Sequence, residues 1–481
     1  MIGSCRLAFY SLMRVANPPR QTVSRAIGAF VARTQIKTIS PEVRDVAKLH
    51  LLDGLATMVG GAKETSSRIL YRHFLGQGRM AEATALGTPA KFSAEQAALI
   101  NGVQGHVLDY DDAQLATLPS RPMGQQTHPT TPVLAAALAL AESSRCAGSA
   151  LLASYIVGVE VACRMGDAVD PSHYLDGFHP TGTLGAFGAT AACAHLLKLE
   201  PKLTRHALGI AGTLASGLRA NRGTMAKGLN AGRAAENGVV AAKLAGGGFT
   251  ASQNIFDEPM GFFSAMCRIG VDKKLLRFGE PFYFIRPGVA IKLYPCAGVL
   301  HPALDIALDL RQRYAITPET IDCLRVTLDR EAALPLVYNN PKDALEAKFS
   351  LHFAVAVALV EGAAGLKQFT DKHTRDPRIR NLMKRVELVR RPAAKLNRRG
   401  GIDTEIEITL RNGAEHRGRS AIARGHPNRP ASRAEVEEKF RQCADGVMSV
   451  TAVARFLNNF SELERVSSIA AWLRPLRPSP R

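Results

Sequence analysis

The sequence predicts a mainly α protein, in which a large all-helical domain carries an inserted, smaller α+β domain. Long Ala-, Gly- and Leu-rich segments that are apolar on nearly all sides fill residues 133–218, as in the middle of a helical bundle. After residue 285 the pattern changes to short alternating segments that are typical of strands. A capping box at Ser432 then begins another helix, so we expect the chain to return to the helical domain.

We therefore divide the chain into four parts. Residues 1–24 are basic and free of acidic residues, and we expect them to form a flexible leader. Residues 25–284 form the helical domain, and residues 285–421 form the α+β domain. Residues 422–481 return to the helical domain and end in a basic tail. A length of 481 residues leaves room for this organisation.

Capping signals mark two helices of the N-terminal part. Ser40 is a predicted N-cap, and Pro41 suits the first helical position, where its missing N–H costs nothing. A Gly-Gly pair that finishes at Gly61 predicts the end of this helix. Ser93 and Gln96 form a capping box that begins the second helix.

The glycines at 182, 185 and 188 resemble a phosphate-binding loop at first sight. A GxGxxG fingerprint needs a strand, a tight turn and a helix in that order, and no strand precedes these glycines. We therefore interpret them as sites where helices approach each other closely.

The C-terminal part carries the strand signals. Phe282–Ile285 have a β-like composition, and Pro287 with Gly288 predicts a turn. The segment TEIEITL alternates with period two and meets the pair Asn412-Gly413, which predicts a β-hairpin.

Charge and composition exclude some classes of function. The chain carries 61 basic and 42 acidic residues, a net charge of +19 that favours anionic partners. The basic residues are scattered and no nucleic-acid recognition motif is present, so we expect small anions rather than nucleic acid. No apolar run approaches the length of a membrane span, so we expect no transmembrane helix.

The eight cysteines form no C-x-x-C pair, which argues against a zinc ribbon or an iron–sulfur cluster. Isolated cysteines in apolar surroundings are typical of a reducing compartment. We expect a cytoplasmic location, or a mitochondrial one if the basic leader is a transit peptide.

One stretch, Ala98–Ala136, places three carboxylates and two histidines inside apolar sequence: Asp109, Asp111, Asp112, His106 and His128. Charged groups are costly to bury without partners, so the cluster is either a solvated loop or a carboxylate–imidazole site. The sequence His-Pro-Thr occurs here from His128 and again from His179, each time before an apolar helix. Histidine is the usual acid or base near neutral pH, so the repetition favours a site.

Two further segments supply cations. Lys227 and Arg233 flank small residues at the start of a helix, and either belong to a solvated loop or bind substrate carboxylates. Lys292, Tyr294 and His301 lie together in the segment IKLYPCAGVLHPALD. The combined set suits proton transfer next to a carboxylate, with cations holding further carboxylates. No nucleophile elbow, Walker loop or HExxH motif is present.

Several ordered motifs resemble the MmgE/PrpD family, which includes 2-methylcitrate dehydratase and cis-aconitate decarboxylase. They are HVLDYDD, THPTTPVLAAALALAE, GFHPTGTLGAFGA, GTMAKGLNAGRAAENG, KLYPCAGVLHPALD and EAKFSLHFAVAVAL. The resemblance covers residues 27–470 and implies a large helical domain, a smaller α+β lid domain and a homodimer. It also implies an active site between the domains that needs no metal ion or organic cofactor.

Matched motif by motif, the resemblance implies a site whose catalytic residues are His128, His179, Asp109, Lys227 and Lys292. Tyr338 is implied as a substrate-binding residue, to which we add Arg233 and His301. Within the polar stretch, His106, Asp111 and Asp112 are interpreted as structural. Two positions depart from the family: Ala113 replaces the threonine of decarboxylase-like members, and Asn230 stands where many members have histidine.

We therefore expect a cofactor-independent lyase that acts on a small di- or tricarboxylate, with dehydration as the first hypothesis. Decarboxylation of the cis-aconitate type is the second hypothesis, and epimerisation of a dicarboxylate needs the same proton abstraction. The alternative that is not an enzyme is a catalytically silent family member that acts as a binding protein.

Overall fold

The computed structural model describes residues 22–77, 80–114, 126–169, 171–268, 270–330, 332–392 and 401–478. The protein is mainly α, as predicted. The predicted leader lies outside the described residues up to position 21, and the first helix already begins at Val23. The domain boundaries that we drew at residues 284 and 421 stay a prediction.

Twelve helices occupy the described residues before position 314, together with a short two-stranded ribbon, β1 (Ala83–Thr84) and β2 (Lys91–Phe92). The helices are α1 (Val23–Arg33), α2 (Pro41–Gly61), α3 (Thr65–Leu75), α4 (Ala94–Val107), α5 (Thr130–Ser143), α6 (Gly148–Ala168), α7 (Ser172–Leu175), α8 (Pro180–Leu196), α9 (Pro201–Leu214), α10 (Ala226–Gly246), α11 (Phe262–Met266) and α12 (His301–Arg313).

The central helices are buried on all sides. Every residue of α8 except His195 is buried, as is every residue of α5 except Ser143. Their small residues permit close contact: a methyl group on Gly158 of α6 would lie 2.6 Å from the carbonyl oxygen of Gly188. Methyl groups on Gly182 and Gly185 would meet neighbouring atoms at 2.4 and 2.8 Å. These glycines therefore serve helix packing, as predicted.

The predicted caps are present. The Ser40 hydroxyl accepts a hydrogen bond from the amide of Val43, and α2 ends at Gly61. Capping boxes join Ser93 to Gln96 at the start of α4, and Ser432 to Glu435. Each cap satisfies amides that a helix cannot satisfy by itself.

The C-terminal part contains a four-stranded sheet in the order β4-β3-β5-β6. Its strands are β3 (Ile321–Asp329), β4 (Val386–Arg391), β5 (Thr404–Leu410) and β6 (Glu415–Ser420). Strand β3 pairs parallel to β4 and antiparallel to β5, and β5 and β6 form the predicted hairpin around Asn412-Gly413. A second core, separate from those of the helical bundle, packs α12 and α14 (Leu351–Glu361) on this sheet.

Seven further helices follow residue 343. They are α13 (Ala344–Ala347), α14, α15 (Asp371–Thr374), α16 (Pro377–Met383), α17 (Arg433–Ala444), α18 (Val450–Asn459) and α19 (Ile469–Trp472). Helix α17 packs against α2, so the chain does return to the helical bundle.

The β-like reading of Phe282–Ile285 is wrong, because these residues lie in turns. Tyr283 and Phe284 bury their rings in the helical core, and the Glu160 carboxylate accepts the Tyr283 amide at 2.5 Å. Aromatic composition here reflects burial rather than strand pairing. The predicted turn at Pro287-Gly288 is present, with Gly288 at φ +95°.

Helix α6 is long and apolar enough by composition to cross a membrane, although 83% of its most apolar window is buried inside the protein. Such burial is typical of a core helix.

Candidate active site

A cavity that is partly open to solvent lies where the turn after α4, the start of α10 and the loop around residue 292 meet. Among the described residues that line it, four side chains are cationic, two are histidines and one is a carboxylate. The lining residues are Asp109, Ala113, Gln126, His128, Tyr174, His179, Leu218, Arg219, Arg222, Lys227, Lys292, Ala297, Gly298, Pro335 and Phe349. An excess of positive charge in a concave site favours an anionic ligand.

Asp109 lies at the bottom of this cavity, in the turn that ends α4. Its backbone adopts a left-handed conformation with φ +51°, which is uncommon outside glycine but more frequent for Asn, Asp and His than for other residues. The carboxylate lies 2.7 Å from Nζ of Lys227 and 3.3 Å from Nζ of Lys292. Burial by itself would raise the pKa of Asp109, but the two ammonium groups outweigh burial and hold it well below its usual range.

Among the described residues, each pocket lysine has two polar contacts through its Nζ. Lys227 donates to Oδ1 of Asp109 at 2.7 Å and to Nε2 of His106 at 2.8 Å. Lys292 donates to the backbone carbonyl of Asp109 at 3.0 Å and faces its carboxylate. An ammonium group has three N–H donors, so each lysine keeps one for a ligand. Burial lowers the pKa of Lys227, although Asp109 and Asp111 oppose this effect.

His106, Asp111 and His128 form a buried network beside Lys227. Oδ2 of Asp111 accepts hydrogen bonds from Nδ1 of His106 at 2.8 Å and from the hydroxyl of Thr131 at 2.7 Å. Its Oδ1 lies 3.4 Å from Nδ1 of His128. Because Lys227 donates to Nε2 of His106, that ring carries its proton on Nδ1. Burial lowers the pKa of His106 to about 4, so this histidine is neutral near pH 7.

His179 is the N-cap residue of α8 and has a different neighbour. The side-chain amide of Asn230 donates to Nδ1 of His179 at 3.0 Å and to the carbonyl of Leu218 at 3.4 Å. The Leu218 carbonyl fixes the orientation of the amide, so Nδ1 of His179 is an acceptor and the ring proton is on Nε2. Burial, together with His106, Lys227 and other neighbouring basic groups, holds the pKa of His179 well below its usual range.

Two arginines complete the cationic lining, and both contact Tyr174. The guanidinium of Arg219 lies 3.6 Å above the Tyr174 ring. Arg222 donates to the Tyr174 hydroxyl at 3.1 Å and to the carbonyl of Pro335 at 3.4 Å. Sequence reasoning missed both, although Arg222 precedes Lys227 in the motif that drew attention to Lys227.

Five predicted residues therefore meet at the cavity: Asp109, His128, His179, Lys227 and Lys292. Tyr338 is adjacent: its hydroxyl donates to the backbone carbonyl of Arg222 at 3.0 Å, so it holds the arginine loop. His301 lines a neighbouring cavity that shares Lys292 with the first. Burial, with the nearby charge of Lys292, lowers the pKa of His301 to about 3.

The structure does not bring Arg233 to the cavity. Its side chain is 52% exposed and pairs with Glu236 on the same helix. Six residues separate it from Lys227, which corresponds to a rotation of about 240° around a helix, so the two face different directions.

His106 and Asp111, which we interpreted as structural, contact residues that line the cavity. Neither lines the cavity, yet His106 contacts Lys227 and Asp111 contacts His128. Asp112 is more remote, since it accepts from His50 at 2.9 Å and from the Thr130 hydroxyl at 2.5 Å.

His106, Asp111 and His128 are also a set that could hold a metal ion, because their ligand atoms lie within 4.8 Å of one another. Nδ1 of His106 and Oδ2 of Asp111 are already hydrogen-bonded to each other, and Lys227 adds a positive charge beside them. Protein groups therefore satisfy His106 and one oxygen of Asp111, whereas Oδ1 of Asp111 and Nδ1 of His128 have no hydrogen-bond partner among the described residues.

The family models for the MmgE/PrpD N-terminal and C-terminal domains match residues 25–272 and 294–464. A cis-aconitate decarboxylase of Homo sapiens is 28% identical over 478 residues, which cover 96% of each chain. The Mus musculus enzyme of the same name is 28% identical over 79% of this chain and 78% of its own. One from Aspergillus terreus is 27% identical over 72% of this chain and 74% of its own.

These relatives are carboxy-lyases, which supports the predicted lyase class. The matched regions contain every residue that lines the cavity except Lys292, which lies two residues before the second region. The two family models together cover well over half of the chain, and the protein therefore belongs to the MmgE/PrpD family.

Proposed function

We propose that this lyase decarboxylates an unsaturated tricarboxylate of the cis-aconitate type. The observation that carries the proposal is the cationic cavity, in which Lys227 and Lys292 each keep one N–H free beside Arg219 and Arg222. The names of the relatives favour decarboxylation over dehydration, which was the first hypothesis from sequence.

Binding follows from the charges around the cavity. The four cationic side chains face one carboxylate, Asp109, whose charge the two lysines already balance in part. A ligand with three carboxylates supplies the missing negative charge. The planar guanidinium groups of Arg219 and Arg222 suit bidentate carboxylate pairing, whereas each lysine acts as a compact point charge.

In the proposed reaction the bond between a methylene carbon and its carboxylate breaks, and carbon dioxide leaves. The released electron pair forms a new double bond to the central carbon. The electrons of the old double bond move to the carbon next to another carboxylate, and that carbon takes a proton. Lys227 and Lys292 stabilise the enolate-like charge on this carboxylate while it develops.

We assign the proton donor to His128. The Asp111 carboxylate, 3.4 Å from Nδ1, can compensate a positive charge on this ring. Nε2 has no hydrogen-bond partner in the part of the chain that the structure describes, and His128 lines the cavity. His128 therefore delivers its Nε2 proton to carbon and regains one from solvent, so protons and charge balance over the cycle.

His179 has the complementary role of a neutral hydrogen-bond donor. Its Nδ1 is occupied by Asn230 and its proton sits on Nε2, so it can donate to a substrate carboxylate without adding a charge. A neutral donor orients the substrate, while the charged groups bind it.

The test is incubation of the purified protein with cis-aconitate in D2O, followed by NMR of the products and measurement of carbon dioxide release. We expect one carbon dioxide per substrate and one deuterium in the product, at the former alkene CH. Loss of turnover in His128→Gln, with binding retained in calorimetry, would support the assigned donor. If cis-aconitate binds but releases no carbon dioxide, the proposal is wrong.

The same assay decides between the alternatives. Conversion of 2-methylcitrate without carbon dioxide release would establish dehydration. Dehydration stays an alternative because position 113 is an alanine, whereas decarboxylase-like members have a threonine there. Deuterium exchange next to a carboxylate without net loss of carbon would indicate epimerisation. Saturable binding without any turnover would identify a binding protein.

A further inference from the structure

Three successive backbone carbonyls in the Asp109 turn each accept a hydrogen bond from a different lysine. Lys348 donates to the carbonyl of Leu108 at 2.8 Å and Lys292 to that of Asp109 at 3.0 Å. Lys439 donates to the carbonyl of Tyr110 at 2.7 Å. Lysine is rarely buried, yet all three side chains are, with Lys292 and Lys439 only 2% exposed. We refer to Lys292, Lys348 and Lys439 as the carbonyl clamp.

The members of the clamp come from separate parts of the chain. Lys292 follows the helical bundle, Lys348 precedes α14 on the sheet-bearing side, and Lys439 belongs to α17. The turn that carries Asp109 is therefore held from three directions. Only Lys292 lines the main cavity.

Lys439 also holds the second lysine of the site. Its Nζ donates to the carbonyl of Lys292 at 2.8 Å and lies 2.5 Å from Oδ1 of Asp53 in α2. One ammonium group thus faces two carbonyls and a carboxylate, which matches its three donors. By fixing the backbone at Tyr110 and at Lys292, Lys439 sets the distance between Asp109 and the ammonium group of Lys292.

We propose that Lys439 and Lys348 are positioning residues, which hold the Asp109 turn and Lys292 in the arrangement that the active site needs. The proposal rests on the proposed function, because it takes Asp109 and Lys292 as parts of the site. Neither Lys439 nor Lys348 touches the substrate in it.

Two physical arguments support the role. The three carbonyls follow directly on the C-terminal end of α4, which is the negative end of its dipole, so ammonium groups are favoured there. The left-handed conformation of Asp109 is less favourable than the right-handed one for any residue with a side chain, although aspartate adopts it more readily than most, so contacts that hold it contribute to its stability. The clamp supplies that constraint with three charge-assisted hydrogen bonds.

Lys439 is the counter-ion of a buried carboxylate, Asp53. Burial raises the pKa of Asp53 to about 6 even though the charge of Lys439 opposes the shift. Removal of Lys439 alone therefore leaves a buried carboxylate without its counter-ion, a change that typically destabilises a protein.

The experiment separates positioning from stability with three variants: Lys439→Met, the double variant Asp53→Asn with Lys439→Met, and Phe456→Leu. Lys439→Met removes one member of the carbonyl clamp and leaves the buried Asp53 carboxylate without its counter-ion. The double variant removes both charges and so recovers part of the lost stability without restoring the clamp. Phe456→Leu loosens the packing of α18 on α17, where Phe456 stacks on Phe440, without touching the turn.

For both variants that lack Lys439 we expect kcat to fall by about 100-fold, the typical cost of displacing catalytic groups by about 1 Å. We expect Phe456→Leu to lose stability but to keep kcat within about threefold at a temperature where it is folded. Lys348→Met should lower kcat in the same direction. If the double variant recovers activity in step with its melting temperature, Lys439 is only structural and the proposal is overturned.

A second readout does not depend on turnover. Crystals of the double variant should show Asp109 released from its left-handed conformation or displaced from Lys292. Calorimetry with tricarballylate, a saturated tricarboxylate, should show weaker binding than in the unmodified protein. If the unmodified protein turns over none of the acids tested, the proposed function fails, and these two measurements still decide the positioning role. An unchanged Asp109 turn with unchanged binding overturns it.

Discussion

Two helices of this protein begin with the same three residues, His-Pro-Thr, and the two histidines end at the same cavity in different surroundings. His128 lies beside the Asp111 carboxylate, whereas His179 accepts a hydrogen bond from the Asn230 amide. The two motifs are also joined, because the amide of His128 donates to the hydroxyl of Thr181 at 3.1 Å.

The comparison shows that local sequence places an imidazole but does not decide what it does. The Asp111 carboxylate can compensate a positive charge that develops on His128, whereas the Asn230 amide leaves His179 as a ring that donates a hydrogen bond from Nε2. The partners lie 17 residues before His128 in one case and 51 residues after His179 in the other. The roles are therefore set by tertiary structure.

The largest effect should come from removal of the proton donor. His128→Gln keeps a polar side chain of similar size but cannot deliver a proton, so kcat should fall by about 100- to 10,000-fold. Carbon dioxide release from cis-aconitate measures the loss. The exposed His73 provides the matched control, since His73→Gln should leave kcat unchanged. Equal losses in His128→Gln and His179→Gln would remove the distinction between the two rings.

A smaller loss is expected when His128 keeps its ring and loses its carboxylate. Asp111→Asn should lower kcat by about 10- to 100-fold, equivalent to roughly 1.4–2.8 kcal/mol in the barrier, because a charge on His128 is then uncompensated. Thr131→Val is the control, since it removes one hydrogen bond to Asp111 and retains the charge. Steady-state kinetics should show the loss in kcat; a loss confined to KM would mean that Asp111 acts on binding.

The reverse exchange gives His179 a carboxylate. Asn230→Asp should raise the pKa of His179, which then gains a proton as the pH falls through the raised value, whereas the unmodified ring stays neutral there. Near neutral pH and above, the new carboxylate repels an anionic substrate, so KM should rise on the order of tenfold while kcat changes little. Leu229→Asp adds the same charge at an exposed neighbour and is the control. A KM equal to that of the control contradicts the proposed surroundings of His179.

The smallest effect is expected at Arg233. Its exposed side chain pairs with Glu236 away from both histidines, so Arg233→Ala should change kcat/KM by less than about twofold. A loss larger than tenfold in steady-state assays would mean that Arg233 reaches the cavity during turnover. Arg233 would then belong to the cationic lining together with the four side chains named above.

Much of the fold could be predicted because its signals are local. The caps at Ser40 and Ser93, the hairpin at Asn412-Gly413 and the apolar central helices depend on neighbours within a few residues. The reading of Phe282–Ile285 failed because composition alone cannot tell a buried turn from a strand.

For the site, charged residues in apolar sequence pointed to Asp109, Lys227 and Lys292. Arg233 was included because of its residue type, without regard to its direction on the helix. Its spacing of six residues from Lys227 places the two side chains on different faces of that helix. Lys348 lies within the motif EAKFSLHFAVAVAL, but neither it nor Lys439 was singled out, because the burial of a lysine depends on contacts that are distant in sequence.

The pairing of Asp53 with Lys439 has a consequence for synthesis. The two residues are 386 positions apart in the chain. At a translation rate of about 5–20 residues per second, Asp53 emerges roughly 20–80 s before its counter-ion. During that interval Asp53 of α2 has no counter-ion from α17, which disfavours full burial of its carboxylate in the nascent helical bundle. The contacts of Lys439 with the Asp109 turn can therefore form only after α17 has been synthesised.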